Sequence, residues 1–185
     1  MATGVKLRFT TVPTPLGELT IVVSDEGVVL TSFEDEEQGA ALESAERAID
    51  TPAHRAPREL APIAREVRGY FAGTRRVFSA PPDLRLVRTG FPRRALAATA
   101  RIPFGELRTY GDVAAEAGSP RGGRAAGNAL ARCPIELFVP CHRVVHAGRT
   151  LGGYGRHEDR KRWLIRHEAP PEMASGIRHH LRDDG

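Results

Sequence analysis

The sequence predicts an α/β region followed by a mainly helical region, and three observations lead to this fold class. Residues 7–33 contain β-branched runs broken by turn residues, which is typical of strands. Residues 73–92 are rich in glycine, proline and arginine, which is typical of a connection between two units. Residues 110–132 hold two short helical patterns separated by Gly118-Ser119-Pro120.

The first region is expected to contain a hairpin and two helices. Leu19–Val23 and Val28–Phe33 flank a turn-forming stretch, which predicts antiparallel strands. Residues 34–58 show helical spacing early and a proline-bearing loop later. Residues 60–72 place apolar side chains on one helical face: Leu60, Ile63, Ala64, Val67, Tyr70 and Phe71.

The second region is expected to be helical over residues 92–100 and again over EDRKRWLIRHEA. Between them, Thr109 is a candidate N-cap for a helix over Tyr110–Ala117, and a second helix is expected from about residue 122 to 132. Two short helices joined by a tight turn form either a DNA-binding helix-turn-helix or an ordinary helical hairpin. Arg121 and Arg124 at the start of the second helix favour the first. Its small residues also favour it, because they let the helix backbone approach a partner closely: Ala125, Ala126, Gly127 and Ala129.

The predicted domains are residues 1–86 and 87–170, followed by a polar tail over 171–185. The 185 residues include no apolar run near the roughly 20 residues that span a membrane, and the first residues lack the apolar core of a signal peptide. A cytoplasmic protein without a membrane contact is therefore expected. Cys133 and Cys141 are too few for a disulfide framework and match no common zinc spacing.

The charge is distributed unevenly along the chain. Residues 1–85 carry 10 Lys/Arg against 13 Asp/Glu, whereas residues 86–185 carry 17 against 10. A basic second half indicates either a polyanionic partner for that half or a solvated basic surface.

The stretch around Cys141 carries the clearest chemistry. A thiolate is the reactive form of cysteine, and a nearby base such as His142 increases its population. The two side chains would need a turn or a bridging water to interact, and Pro140 favours a turn. A carboxylate would orient the histidine, and Glu168 is one candidate among several. A small buried cysteine beside surface polar residues, or a cysteine hydrolase, is an alternative interpretation.

Six short motifs resemble those of the O6-alkylguanine-DNA alkyltransferases, also called methylated-DNA–protein-cysteine methyltransferases, in order and spacing. The resemblance is strong over residues 88–169 and weaker over 7–85. The motifs are Ile102-Pro103-Phe104-Gly105, Thr109-Tyr110-Gly111, Arg124-Ala125-Ala126-Gly127, Val139-Pro140-Cys141-His142-Arg143-Val144-Val145, Leu151-Gly152-Gly153-Tyr154, and Lys161 with Leu164 and Glu168.

The resemblance implies a ribonuclease-H-like α/β domain, then a helical domain with a helix-turn-helix and the active site. It implies binding of double-stranded DNA through the minor groove, flipping of an alkylated base, and irreversible alkyl transfer to the protein by a monomer without a cofactor. Cys141 would accept the alkyl group, His142 would deprotonate it through a water, and Glu168 would hold His142.

The resemblance also assigns binding roles. Tyr110 would help turn the nucleotide out, and Arg124 would fill the space left in the base stack. The base pocket would be formed by Tyr110, Pro140, Val144, Tyr154 and Gly155. The DNA-binding residues would be Arg124, Ala125, Ala126, Gly127 and Arg143.

The chain departs from the family pattern at three places. Cys133 stands where the family has a hinge asparagine, and a thiol cannot replace an amide's hydrogen bonds, so slower transfer is expected. Gly155 replaces a serine, and Arg156 with His157 replaces a glycine pair. The cysteines of the zinc site that some members carry are missing, so no metal is expected. A lesion-binding protein that transfers nothing remains the alternative, and a cysteine hydrolase or redox protein is the third.

Overall fold

A computed structural model of the chain describes residues 5–33, 38–148, 150–152, 154 and 157–169. The described residues form two compact units. One unit comprises the residues up to Val87 together with Pro134–Phe138, and the other comprises Arg88–Cys133 and the residues from Val139 onward. The short segment Pro134–Phe138 therefore belongs to the first unit, although it lies far along the chain. The predicted polar tail lies outside the described residues.

A four-stranded mixed sheet forms the centre of the first unit, in the order β3-β2-β1-β4. Its strands are β1 (Leu7–Thr14), β2 (Gly17–Val23), β3 (Val28–Phe33) and β4 (Ala53–Arg55). The first three are antiparallel neighbours, whereas β4 runs parallel to β1. The predicted hairpin is confirmed as β2 and β3.

Strand β4 lies where the sequence predicted a loop, so that prediction was wrong. The strand has only three residues, Ala53–Arg55, and a proline lies just before it and another shortly after it. Proline lacks the amide donor of a strand ladder, so the pairing is short and its sequence pattern is weak. The amide of Ala56 still donates to the carbonyl of Phe9 at 2.9 Å.

Two helices, α1 (Gln38–Ile49) and α2 (Ala61–Phe71), complete the secondary structure that the sequence predicted for this unit. The face predicted for α2 is largely confirmed, because its buried residues are Ile63, Ala64, Val67 and Tyr70. A core cluster joins α1 to the sheet through buried apolar side chains: Leu7, Val22, Val29, Leu30 and Ala45.

The segment Pro134–Phe138 is fixed to β3 by hydrogen bonds. The amide of Thr31 donates to the carbonyl of Pro134 at 2.8 Å, and its hydroxyl donates to the carbonyl of Glu136 at 2.9 Å. Leu137 is buried and has a φ of 74°, and the amide of Phe138 donates to the carbonyl of Glu136 at 3.0 Å. This is a γ-turn with a left-handed central residue, which is a strained conformation for leucine.

The described part of the second unit contains four α-helices and two short parallel strands. The strands are β5 (Arg108–Thr109) and β6 (Val144–Val145). The helices are α3 (Phe91–Thr99), α4 (Tyr110–Glu116), α5 (Gly123–Leu130) and α6 (Glu158–Glu168). All four were predicted, and α5 ends two residues before the predicted boundary.

Helix α4 begins with a capping box at Thr109, as the predicted N-cap required. The Thr109 hydroxyl accepts from the amide of Asp112 at 3.1 Å, and the Asp112 carboxylate accepts from the amide of Thr109 at 2.8 Å. These hydrogen bonds hold the pKa of Asp112 below its ordinary value. The helix start is therefore well defined, and it places Tyr110 at the first helical position.

Within the described ranges, no helix has the length and apolar character that crossing a membrane requires. No group of three or more His, Cys, Asp or Glu side chains in those ranges is arranged to hold a metal ion.

Candidate active site

The backbone before Cys141 folds into a tight turn at Pro140. Pro140 has φ −79° and ψ 64°, and the amide of Cys141 donates to the carbonyl of Val139 at 2.8 Å. These values describe an inverse γ-turn. A 3₁₀ turn over Cys141–Arg143 follows at once, with the amide of Arg143 donating to the carbonyl of Pro140 at 2.9 Å. The chain reversal expected at Pro140 is therefore present, and it leaves the Cys141 residue 3% exposed.

His142 is fully buried and pairs with the carboxylate of Glu168 at the end of α6. The distance from Nε2 of His142 to Oε1 of Glu168 is 2.8 Å. An ionised carboxylate accepts hydrogen bonds and donates none, so Nε2 carries the proton and Nδ1 carries the lone pair. Nδ1 is buried and has no hydrogen-bond partner among the described residues. This nitrogen is therefore able to accept a proton.

Burial determines the charge state of His142. Burial lowers the pKa of His142, while the hydrogen bond and negative charge of Glu168 oppose that shift and the charges of Arg143 and Lys161 add to it. The net direction is downward, so the imidazole is neutral at neutral pH. A neutral imidazole held by a carboxylate is the form that a general base requires.

Among the described residues, the donors to Glu168 include His142, Arg143 and Gly105. Besides His142, Arg143 donates from Nε to Oε2 at 2.7 Å and from Nη2 to Oε1 at 2.8 Å. The amide of Gly105 donates to Oε2 at 3.1 Å. Burial alone would raise the pKa of Glu168, but the hydrogen bonds and charges of His142 and Arg143 outweigh it and hold this pKa well below its ordinary value. Glu168 is therefore ionised throughout the physiological range.

Arg143 was expected to contact DNA, and the structure places it inside the unit instead. Its residue is 7% exposed, and its guanidinium donates to the carbonyl of Ile102 as well as to Glu168. The guanidinium carbon also lies 5.8 Å from the ring centroid of Phe104. Because its guanidinium binds groups inside the unit, Arg143 anchors Glu168. The DNA contact expected of Arg143 is therefore not part of the proposal.

Lys161 is a buried cation, which was included in the sequence analysis only as one member of a motif, with no role of its own. Its Nζ donates to the carbonyl of Val144 at 2.6 Å and lies 3.5 Å from the hydroxyl of Tyr110. Burial lowers the pKa of Lys161 to about 8, although the charges of Cys141 and Glu158 oppose the shift. The spacing of Lys161, Leu164 and Glu168 along α6 places them on one helical face, and this pattern could have indicated that Lys161 is buried.

Tyr110 lies at the N-terminus of α4 and is half-buried. Burial raises the pKa of Tyr110, and the negative charge of a Cys141 thiolate raises it further. The phenol therefore keeps its proton at neutral pH and can donate a hydrogen bond.

The structure brings most of the other predicted pocket residues into the interior of this unit. Pro140, Val144 and Tyr154 are buried, and the carbonyl of Val144 already accepts from Lys161. A carbonyl oxygen has two lone pairs, so it retains capacity for a second donor. Gly155 and Arg156 lie outside the described residues.

Helix α5 presents two of its four predicted DNA-binding residues to solvent. Arg124 and Ala125 are exposed, and Gly127 is half-buried next to the Tyr110 ring. Ala126 is fully buried, so its small side chain serves packing and it is also withdrawn from the proposed DNA contacts. Cys133, half-buried just after α5, donates its amide to the carbonyl of Leu130 at 3.1 Å.

Comparison with known families matches both parts of the chain. Residues 90–170 match the family described as 6-O-methylguanine DNA methyltransferase, DNA binding domain. Residues 7–84 match the family described as 6-O-methylguanine DNA methyltransferase, ribonuclease-like domain. Together these matches cover most of the chain.

Individual relatives agree with the family matches. The constitutive methylated-DNA–protein-cysteine methyltransferase of Bacillus subtilis is 37% identical over 158 residues, which are 85% of this chain and 92% of the relative. The Mycobacterium bovis protein of that name is 36% identical over 170 residues, with coverage of 90% and 97%. The structure of Mycobacterium tuberculosis OGT in complex with DNA has a TM-score of 0.73 and 30% identity, covering 90% of this chain and 98% of that one. The chain therefore belongs to the 6-O-methylguanine DNA methyltransferase family.

Proposed function

We propose that this protein repairs DNA by direct reversal, moving the alkyl group of O6-alkylguanine, and less readily of O4-alkylthymine, onto the sulfur of Cys141. One observation carries the proposal: Cys141 adjoins a buried, neutral His142 whose Nδ1 is open to a proton while its Nε2 is held by an ionised Glu168. The names of the relatives, methylated-DNA–protein-cysteine methyltransferases, support the same chemistry.

The reaction is a single displacement. Nδ1 of His142 takes the thiol proton of Cys141 through a water, and the thiolate attacks the alkyl carbon. The new S–C bond forms as the C–O6 bond breaks, and the electron pair of that bond stays on the guanine. Tyr110 donates a proton to the guanine and becomes a phenolate. The proton held by His142 then reaches this phenolate through solvent. The resulting thioether is stable, so each protein molecule acts once and is consumed.

The lesion must leave the duplex to reach a cysteine that is 3% exposed. We assign Arg124, exposed on α5, to the space that the flipped base leaves in the stack, which offsets part of the cost of unstacking. Ala125 and Gly127 are small enough for this helix to lie against the minor groove. Pro140 and Tyr154 would wall the base pocket, and the backbone at Val144 and Gly155 would bind the guanine edge. The proposal also places the protein in the cytoplasm, where it would act as a monomer.

The decisive experiment measures methyl transfer directly. The protein is incubated with excess duplex oligonucleotide that contains one O6-methylguanine, and intact and peptide mass spectrometry then locate any added methyl group. We expect one methyl group per protein, on Cys141, and none on a Cys141→Ser variant. An unmodified wild-type protein under these conditions would contradict the proposal.

The alternative is a lesion-binding protein that flips the base, transfers nothing and recruits other repair factors. The acceptor Cys141 argues against it, whereas Cys133, at the hinge position where the family has an asparagine, keeps it open. The same samples distinguish the two functions, since tight binding of lesion DNA without methyl transfer would select the alternative.

A further inference from the structure

The ring of Tyr110 is surrounded by groups from several segments of the second unit. Nζ of Lys161 lies 5.6 Å from the ring centroid. A side-chain carbon built on Gly127 would lie 3.8 Å from one edge of the ring, in ordinary contact. A side-chain carbon built on Gly152 would lie only 2.9 Å from Cε2 and the hydroxyl of Tyr110. The backbone at Gly152 therefore abuts the phenol directly.

His146 supplies a further contact that the proposed mechanism does not use. The centroids of the His146 and Tyr110 rings are 5.1 Å apart, and the ring planes are tilted by 54°. Cδ2 of His146 would be 3.0 Å from a side-chain carbon at Gly152, so the imidazole lies close to Gly152 as well. The residue follows β6 directly, and its amide donates to the carbonyl of Thr150 at 3.0 Å, which anchors the turn that holds it.

His146 is exposed overall, so its contact with Tyr110 lies at the solvent edge of the site. DNA has to approach from solvent, and a tyrosine that helps turn a nucleotide out has to keep its own ring in place while it does so. Lys161 is fully buried, whereas His146 is exposed, so the His146 ring adds a contact on the solvent side of Tyr110. The His146 ring can restrain the Tyr110 ring by packing, because an aromatic ring tilted against another packs favourably at this distance.

We propose that His146 is a positioning residue for alkyl transfer, acting by packing its ring against Tyr110. The inference rests on the proposed function and deepens it. It assigns no proton transfer to His146 and requires no charge on the imidazole. The ring contact holds the Tyr110 phenol where it meets the incoming nucleotide, so its loss slows transfer after the DNA has bound.

The test compares His146→Ala with His146→Phe in single-turnover methyl transfer from duplex DNA containing O6-methylguanine. We expect His146→Ala to slow transfer about tenfold, in the range that small misplacements of a positioned group cost, with little change in DNA affinity. His146→Phe keeps a packing ring and should stay within about threefold of wild type. His54→Ala, an exposed histidine in β4, is the matched control and should react like wild type.

A double-mutant cycle shows whether His146 acts through Tyr110. In a Tyr110→Ala background, where slow methyl transfer is followed over hours, adding His146→Ala should cause no further loss of rate. The inference is overturned if His146→Ala reacts at the wild-type rate, if His146→Phe is as slow as His146→Ala, or if the two alanine changes multiply independently. A wild-type protein that transfers no methyl group would instead contradict the proposed function, so the two failures are distinguishable.

Discussion

Two buried carboxylates among the described residues have an arginine partner, yet their surroundings suit them to different tasks. Asp83, in the first unit, accepts from the hydroxyl of Ser24 at 2.6 Å and from both the amide and Nε of Arg85. The same Ser24 hydroxyl accepts from the amides of Glu26 and Gly27 at 3.1 and 3.3 Å. The Asp83 cluster thus ties the turn between β2 and β3 to a later segment of the same unit.

The Glu168 cluster in the second unit has a two-pronged arginine pairing, since two guanidinium nitrogens of Arg143 donate to Glu168, and it also includes His142. That histidine uses one ring nitrogen for the carboxylate and keeps the other open within the described part of the chain. The comparison shows that a buried arginine–carboxylate pair is not in itself a sign of catalysis. The chemistry comes from the unsatisfied nitrogen that the pair supports.

Neutralising each carboxylate should give the largest difference between the clusters. Glu168→Gln leaves the buried guanidinium of Arg143 without its counter-charge, which should lower the free energy of unfolding by about 3–5 kcal/mol. It should also slow methyl transfer by about a hundredfold or more, because His142 loses the group that orients it. Urea unfolding and single-turnover kinetics measure the two effects. Asp83→Asn should lower stability and leave the rate per folded molecule unchanged, and an equal loss of rate would contradict the comparison.

Acidic pH should affect transfer through the histidine of the Glu168 cluster. The pKa of His142 in the folded protein lies below its ordinary value of 6.5. The unfolded chain therefore binds more protons between these two pKa values, so stability falls as pH drops through that window. The transfer rate should also fall, by about tenfold per pH unit below the folded pKa, because protonated His142 cannot act as a base. A rate profile whose acid midpoint lies above 6.5 would contradict this assignment.

Replacing each arginine by lysine should show what the two-pronged pairing of Arg143 with Glu168 contributes. Lysine cannot donate side by side to a carboxylate, so Arg143→Lys should loosen Glu168 and slow transfer by about tenfold. Arg85→Lys should leave transfer unchanged. The uncharged variant Arg143→Gln separates this role from the DNA contact first expected of Arg143. DNA binding measured across a salt series should have the wild-type slope, and a slope smaller by about one would restore that contact.

Removing the hydroxyl of Ser24 should have the smallest effect. Ser24→Ala leaves the buried carboxylate of Asp83 with one donor fewer, which should lower the free energy of unfolding by about 1–2 kcal/mol. Thermal or urea unfolding measures the loss. Methyl transfer by the folded protein should match wild type, and a slower rate would mean that this cluster also serves the reaction.

Much of the fold could be predicted because its causes are local. The β2–β3 hairpin, the apolar face of α2 and the Thr109 cap depend on alternation, helical spacing and capping, which neighbouring residues specify. Strand β4 could not be predicted, since three residues between prolines carry almost no periodic pattern. Its pairing depends on β1, more than forty residues earlier in the chain.

The site was predictable only in part for the same reason. Cys141 and His142 are adjacent in sequence, so their chemistry was visible, and the resemblance selected Glu168 among several acids. The inward direction of Arg143 was not visible, because it depends on Ile102 and Glu168, which are distant in sequence. The contacts of Lys161 and His146 with Tyr110 are also long-range, and tertiary packing alone creates them.

The ring of Pro140 has a further consequence for a protein that can react only once. A proline ring restricts its own φ before folding as well as after it, so forming the bend beside Cys141 removes less chain entropy than another residue would require. The bend beside the nucleophile is therefore less costly to form. The backbone of Cys141 is already in place when the folded molecule meets the one lesion that it can repair.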